Sequence, residues 1–242
     1  MKRVRILAKM IDHSLLHPTL TDEQLEEGCR LALRYNTASV CIKPYAVPIA
    51  AGLLKDSDVY VGTVVGFPHG NSTIELKAAE TSKACEDGAV EIDMVINIGK
   101  ALSGDWDYAA REISAVHTAA REGGSILKVI FENDFLEQNH IIRLCRICSD
   151  IGAEYVKTST GFGFVKQENG MYSYRGATIE HLKLMRQHSS PRVNVKAAGG
   201  VRSLEDLLAV RAAGAVRVGA TATAAILDEA ERRVESGEDF TI

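Results

Sequence analysis

Three places in the chain repeat one piece of punctuation: a helical pattern stops, a glycine follows, and an apolar run begins. Glu86-Asp87-Gly88-Ala89, Asp150-Ile151-Gly152-Ala153 and Ala212-Ala213-Gly214-Ala215 are near copies of one another. Glycine accepts the left-handed backbone in which helices commonly end, so each copy reads as an αβ turn. Three such turns imply a repeated βα unit. Candidate strands are Ala8–Asp12, Ala38–Ile42, Val59–Val65, Val90–Val95, Ile126–Phe131, Tyr155–Lys157, Val193–Ala197 and Val216–Val218. They read as apolar on both faces, as parallel strands covered by helices should. Between them lie amphipathic segments such as Asp22–Tyr35, Thr73–Asp87, Trp106–Glu122, Glu137–Asp150, Thr178–Gln187 and Ser203–Ala213, with Thr21, Ser72, Thr178 and Ser203 as candidate caps. Eight units fill 242 residues with little left over, the usual length of one (β/α)8 TIM barrel. An open doubly wound sheet is the alternative, but no GxGxxG follows the first strand. The expectation is an α/β fold with a single barrel domain over residues 1–242.

Charge and composition narrow the partners. A net charge of −4 disfavours nucleic acid, which wants a basic face. No apolar run approaches the ~18–20 residues of a membrane span, and the apolar stretch after the basic start is too short for a signal peptide. A cytoplasmic protein is expected. Cysteines at 29, 41, 85, 145 and 148 form no disulfide framework. Cys145 and Cys148 form a CxxC, but inside an amphipathic run and without a second pair, so buried thiols on a helix are expected rather than zinc.

A barrel carries its reactive groups at strand C-terminal ends and in the loops that follow. Two lysines end adjacent predicted strands there: Lys157 in Tyr155-Val156-Lys157-Thr158-Ser159-Thr160-Gly161 and Lys196 in Val193-Asn194-Val195-Lys196-Ala197-Ala198-Gly199-Gly200. Neighbouring strands bring matching ends together, so each cation disfavours charge on the other, and burial acts the same way. Only a neutral amine attacks a carbonyl, and lowering a lysine to pKa ~7–8 makes it a nucleophile at neutral pH. Asp93, in Glu91-Ile92-Asp93-Met94-Val95-Ile96-Asn97, is a carboxylate among apolar neighbours, suited to moving protons. Lys128 reads as a supporting charge. Any one of these lysines alone is more simply a barrel-end residue tying up a carboxylate; the combination is what points to chemistry.

These segments resemble the deoxyribose-phosphate aldolase family over nearly the whole chain. The matching stretches are Ile11–Leu16, Thr63–Pro68, Glu91–Asn97, Val156–Phe162 and Val195–Arg202. The resemblance implies a class I aldolase with no metal or organic cofactor, cleaving 2-deoxyribose 5-phosphate reversibly to glyceraldehyde 3-phosphate and acetaldehyde in nucleoside and carbohydrate catabolism. By it, Lys157 is the Schiff-base lysine, and Asp93 and Lys196 match the proton donor and acceptor positions. Asp12 and Ser14 are expected either near the substrate hydroxyls or capping the following turn. The partner is then a small sugar phosphate. Gly199, Gly200, Gly219 and Thr221, in the loops after the seventh and eighth strands, with Thr160 and Gly161, are the candidate phosphate and substrate contacts. A homodimer is only the habit of such barrels.

The sequence departs from the family pattern in several places. Gly163–Arg175 is inserted before Gly176-Ala177-Thr178, making 162–176 an added loop over the predicted mouth, either a lid or a surface hairpin around Asn169-Gly170. Lys43 ends the second strand, to bind an anionic group or reach solvent. Cys41 faces the same mouth, as a packed thiol or one open to reactive aldehydes. Ala222-Thr223 alters the last phosphate loop, and Phe131-Glu132-Asn133-Asp134 differs for no reason visible in the sequence. The rival readings are the same chemistry on another or unphosphorylated aldehyde, and a barrel that binds sugar phosphate without turnover.

Overall fold

In the computed structural model, which describes residues 2–238 and 240, eight parallel strands close into a barrel. The strands in chain order are β1 (Ile11–Leu15), β2 (Ser39–Ile42), β3 (Tyr60–Val65), β4 (Glu91–Val95), β5 (Ile126–Ile130), β6 (Tyr155–Lys157), β7 (Val165–Lys166), β8 (Tyr172–Ser173), β9 (Asn194–Ala198) and β10 (Arg217–Ala220). The barrel runs β1-β2-β3-β4-β5-β6-β9-β10 and back to β1, while β7 and β8 pair separately as an antiparallel hairpin. Each barrel strand is followed by helix, which accounts for the period of the sequence. Gly88, Gly152 and Gly214, the three punctuation glycines, all have positive φ (108°, 88° and 106°).

The strands are not apolar on both faces. Side chains alternate along a strand, and the outward set (Val40, Ile42, Ile92, Met94, Val129, Val195) is wholly buried under helix faces bearing Leu25, Ile113, Leu144, Leu182 and Ile226. Burying one such side chain contributes roughly 1.5–3 kcal/mol. The inward set holds most of the barrel's polar groups: Asp12, Ser39, Glu91, Asp93, Lys128, Lys157, Lys196 and Arg217, all buried. The apolar layer lies between strands and helices, and the barrel interior is left for charge.

Two local expectations need correction. The first strand is Ile11–Leu15, not Ala8–Asp12, because Lys2–Ala8 forms a helix whose Leu7 and Ala8 join the core. Lys9 then anchors the turn by donating to Asn36 Oδ1, Thr37 O and Asp58 O. The helix Ile74–Glu86 is capped by Thr73, whose hydroxyl accepts from Leu76 N–H, rather than by Ser72. The other three candidate caps accept from the first-turn N–H groups of their helices. Cys145 and Cys148 lie buried on the helix Gln138–Ile151, and all five thiols are free.

Candidate active site

Strand register decides which inward side chains meet. Asp93 sits opposite Lys128, Lys157 opposite Lys196, and Lys196 opposite Arg217. At the barrel floor Lys128 Nζ lies 2.9 Å from Asp12 Oδ2, 2.6 Å from Glu91 Oε2 and 3.2 Å from Asp93 Oδ1. Arg217 completes the floor, pairing with Asp12 and, at 2.6 Å, with Glu91. Ser39 Oγ donates to Asp12 at 2.7 Å. One layer higher, Asp93 Oδ2 accepts from both Lys157 Nζ and Lys196 Nζ at 2.7 Å, and Lys196 also pairs with Asp12.

Three carboxylates thus face four basic groups in a buried network. Fully ionised, it would hold one excess positive charge, which is costly away from water. The amine with the fewest acidic partners relieves that excess most cheaply, and Lys157 touches Asp93 alone. Burial lowers the Lys157 pKa and Lys196 adds to the lowering, against the opposing pull of Asp93. Burial also disfavours charge on Lys196, but Asp12 and Asp93 outweigh it and hold that amine above its ordinary value, as a cation. Asp93, despite burial, is kept well below the carboxylate range by Lys128, Lys157 and Lys196. The second cation therefore assists, but desolvation is the larger cause of the shift at Lys157.

Lys157 and Lys196 form the base of a cavity of about 210 Å³ at the C-terminal mouth. One side carries Ser14, Leu16, His17 and Cys41, and the other Ala198–Arg202 and Gly219–Thr221. Gly199 and Gly200 both have positive φ (85° and 89°), a conformation that suits glycine and brings the backbone up to the cavity wall. Among the described residues no three His, Cys, Asp or Glu side chains gather in a way that could hold a metal ion.

Residues 6–228 match the model of the DeoC/LacD family aldolases. The chain belongs to that family. It is 49% identical over 94% of its length to the deoxyribose-phosphate aldolase of Rhodopirellula baltica, covering 90% of that protein. It is 47% identical to that of Caldanaerobacter subterraneus subsp. tengcongensis, with 92% of this chain and 93% of the relative covered. Among solved structures it superimposes on the tetrameric deoxyribose phosphate aldolase of Aeropyrum pernix with a TM-score of 0.84 at 28% identity, covering 96% of this chain and 93% of that one. The enzyme class of this family is aldehyde-lyase.

Within this aldolase, Lys157, Lys196, Ser14, Thr160, Gly161, Gly199, Gly200, Gly219 and Thr221 all line the cavity. Asp93 lies behind the two lysines and does not line it. Asp12, expected near substrate hydroxyls or as a cap, is instead wholly buried under Lys196, because three basic groups and Ser39 draw its carboxylate inward. Lys128 belongs to the floor. Gly219 is the third residue of β10 rather than part of a loop.

Lys43 neither projects to solvent nor faces the main cavity. Its Nζ donates to Pro18 O and Leu20 O at 3.2 and 2.8 Å, and it lines a neighbouring cavity with Leu16, Phe67 and Phe162. Cys41 is a packed thiol, which burial pushes up to about 11. Sequence reasoning missed Glu91, Arg217 and Ser39. The signal was the two-residue alternation itself, since Glu91 stands two before Asp93 and Arg217 two before Gly219. It also missed Glu132, His17, Phe162 and Arg202, whose roles depend on loop geometry.

Proposed function

We propose that this aldolase cleaves 2-deoxyribose 5-phosphate reversibly to glyceraldehyde 3-phosphate and acetaldehyde through a Schiff base on Lys157. The observation that carries the reading is a buried amine at the cavity base with one carboxylate partner, its pKa lowered by burial, beside a second amine held cationic. Lys157 adds to the aldehyde carbon C1 and water leaves, giving an iminium. As the C3 hydroxyl loses its proton, the C2–C3 bond breaks and its electrons flow into the iminium. The phosphorylated three-carbon aldehyde departs. Protonation at C2 of the enamine and hydrolysis then release acetaldehyde and the free lysine.

Lys196 faces the cavity and touches Asp93, so the pair forms the proton relay. Lys196 supplies protons to the departing water and to the enamine carbon. Having given a proton to the departing water, Lys196 is a neutral amine and takes up the C3 hydroxyl proton, while Asp93, ionised behind it, stabilises the ammonium form that this restores. The phosphate is assigned to the Gly199–Gly200 backbone with Gly219 and Thr221, because they line the cavity and glycine lets backbone N–H groups approach an anion. The five free thiols suit a reducing cytoplasm.

Borohydride reduction in the presence of deoxyribose 5-phosphate, followed by peptide mass mapping, tests the assignment. A stable adduct on Lys157, absent in Lys157→Ala, is expected. An adduct on Lys196 alone would exchange the roles, and no adduct would remove the mechanism. A second reading, the same chemistry on a bulkier acceptor, is favoured by the apolar neighbouring cavity, which shares Leu16 and Phe162 with the main one. A turnover preference for an apolar aldehyde over the phosphorylated one would select it.

A further inference from the structure

Two departures from the family pattern, the inserted segment after Phe162 and the Phe131–Asp134 turn, meet in space. Glu132, in the left-handed region (φ 58°) and buried, accepts from Thr160 N–H and the Thr160 hydroxyl. That contact fixes the turn directly after Lys157. Two residues on, Asp134 Oδ2 accepts from Arg175 N–H at 3.1 Å and Gly176 N–H at 2.8 Å, at the exit of the inserted hairpin. The same exit is pressed onto the loop after β9. Ala177 N–H donates to Gly199 O at 3.0 Å, and a Cβ on Gly176 would stand 2.6 Å from that oxygen. The hairpin is therefore anchored at its base, between the turn after β5 and the glycine loop, while its tip around Asn169 and Gly170 is exposed.

That anchorage brings Tyr174 into the cavity wall. Its ring lies over Gly199: a Cβ on Gly199 would be 3.4 Å from Tyr174 Cε2. No described residue takes a hydrogen bond from its hydroxyl. A tyrosine held by the anchorage of the two residues after it, with an unpartnered phenol in the wall of a cavity that the glycine loop and Arg202 also line, is equipped to bind an anion. Tyr172, like Tyr174 exposed, stacks on Phe164 at 4.6 Å and does not line that cavity.

We propose that Tyr174 is a specificity-determining residue that donates its phenolic hydrogen to the phosphate of a phosphorylated short-chain aldehyde, and that Asp134 is the positioning residue that holds it there. The proposal rests on the Schiff-base reading above and adds to it a selector that arrives with the inserted segment. The glycine backbone is then one half of the phosphate site, and the hairpin supplies the other.

The test compares Tyr174→Phe and Asp134→Ala with the wild-type enzyme on deoxyribose 5-phosphate and on free deoxyribose, together with competitive inhibition by inorganic phosphate. Losing one hydrogen bond to a charged group predicts that Tyr174→Phe raises both KM for the phosphorylated sugar and the inhibition constant of phosphate about tenfold. The kcat on that sugar moves far less. Asp134→Ala shifts the same two constants in the same direction by a smaller factor. Borohydride trapping with acetaldehyde, which does not reach the phosphate end, reports whether Lys157 is intact in each variant. Equal losses on the two sugars, or an unchanged phosphate inhibition constant in Tyr174→Phe, would overturn the proposal. Failure of wild-type enzyme to form any Lys157 adduct would instead overturn the underlying mechanism, so the two failures are separable.

Discussion

Lys128 at the barrel floor and Lys157 at its mouth lie on adjacent strands, both buried, and shift to opposite sides of the ordinary lysine pKa. Burial pushes both amines toward neutrality. At the floor, Asp12, Asp93 and Glu91 surround Lys128, overcome the desolvation and lift it well above its ordinary value. At the mouth, Lys157 has Asp93 only, shared with a competing cation, and desolvation wins. Charge partners, rather than depth, decide whether a buried lysine is a structural cation or a nucleophile. Asp12 and Glu91 are engaged by Lys128 and Arg217, Lys196 also reaches Asp12, and Lys157 is left with Asp93 alone.

The largest effects separate these two lysines by what each substitution damages. Lys157→Ala should lower turnover about 10⁴-fold or more, since no other group forms the covalent intermediate. Residual activity within tenfold of wild type would mean that the amine is not the nucleophile. Stability should respond the other way round. Lys128→Met strands Asp12 and Glu91 with less compensation and should cost ~3–5 kcal/mol in denaturant unfolding. Lys157→Met leaves Asp93 with Lys128 and Lys196, so it should stay within about 1 kcal/mol of wild type or stabilise. Equal destabilisation by the two methionines would break the comparison.

Most of the fold and the centre of the site were legible because periodic features carried them. The glycine punctuation gave the βα repeat, and the barrel rule directed attention to strand ends, where Lys157 and Lys196 indeed sit in register. What escaped depended on direction and on loops. Asp12 is at a strand position from which either the mouth or the floor is reachable. Only the three basic groups drawn round it by closure of β1 onto β10 send it down. The expected first strand, Ala8–Asp12, starts three residues early because Ala8 and Met10, at the helix end and in the turn after it, are apolar and run on into Ile11. The Phe131–Asp134 turn made no sense by itself, since its partners, Thr160 and the exit of the inserted hairpin, are 28 and 41–42 residues away.

A smaller effect concerns pH. Activity requires Lys157 neutral, so kcat/KM should rise with pH through the lowered pKa of that amine and level off above it. The acid limb should therefore lie below the range of an ordinary lysine, ~10.4. Lys196→Met removes one positive neighbour and frees Asp93 to pair more fully with Lys157. Both changes favour the ammonium form, so the residual activity of that variant should show its acid limb at higher pH. A limb that stays put, or moves down, would mean that Lys196 does not help set the nucleophile's charge.

The smallest effect tests whether the floor is held by anything besides its carboxylates. The Tyr155 ring centroid lies 5.9 Å from Lys128 Nζ and 5.8 Å from the Arg217 guanidinium carbon, below the acidic cluster. An aromatic face so placed attracts both cations, by roughly 0.5–1 kcal/mol or somewhat more where water is excluded. Tyr155→Leu keeps apolar bulk but removes the ring's charge distribution, so it should lower the melting temperature by only a few degrees. Tyr155→Phe, which keeps the ring, should lower it less. Because Tyr155 is two residues from Lys157 on the same strand, the effect should appear in stability and leave the acid limb of kcat/KM where it was. A shifted limb would mean that floor and mouth are electrostatically one site, and that Lys157 owes its lowered pKa to the whole network rather than to its own shortage of partners.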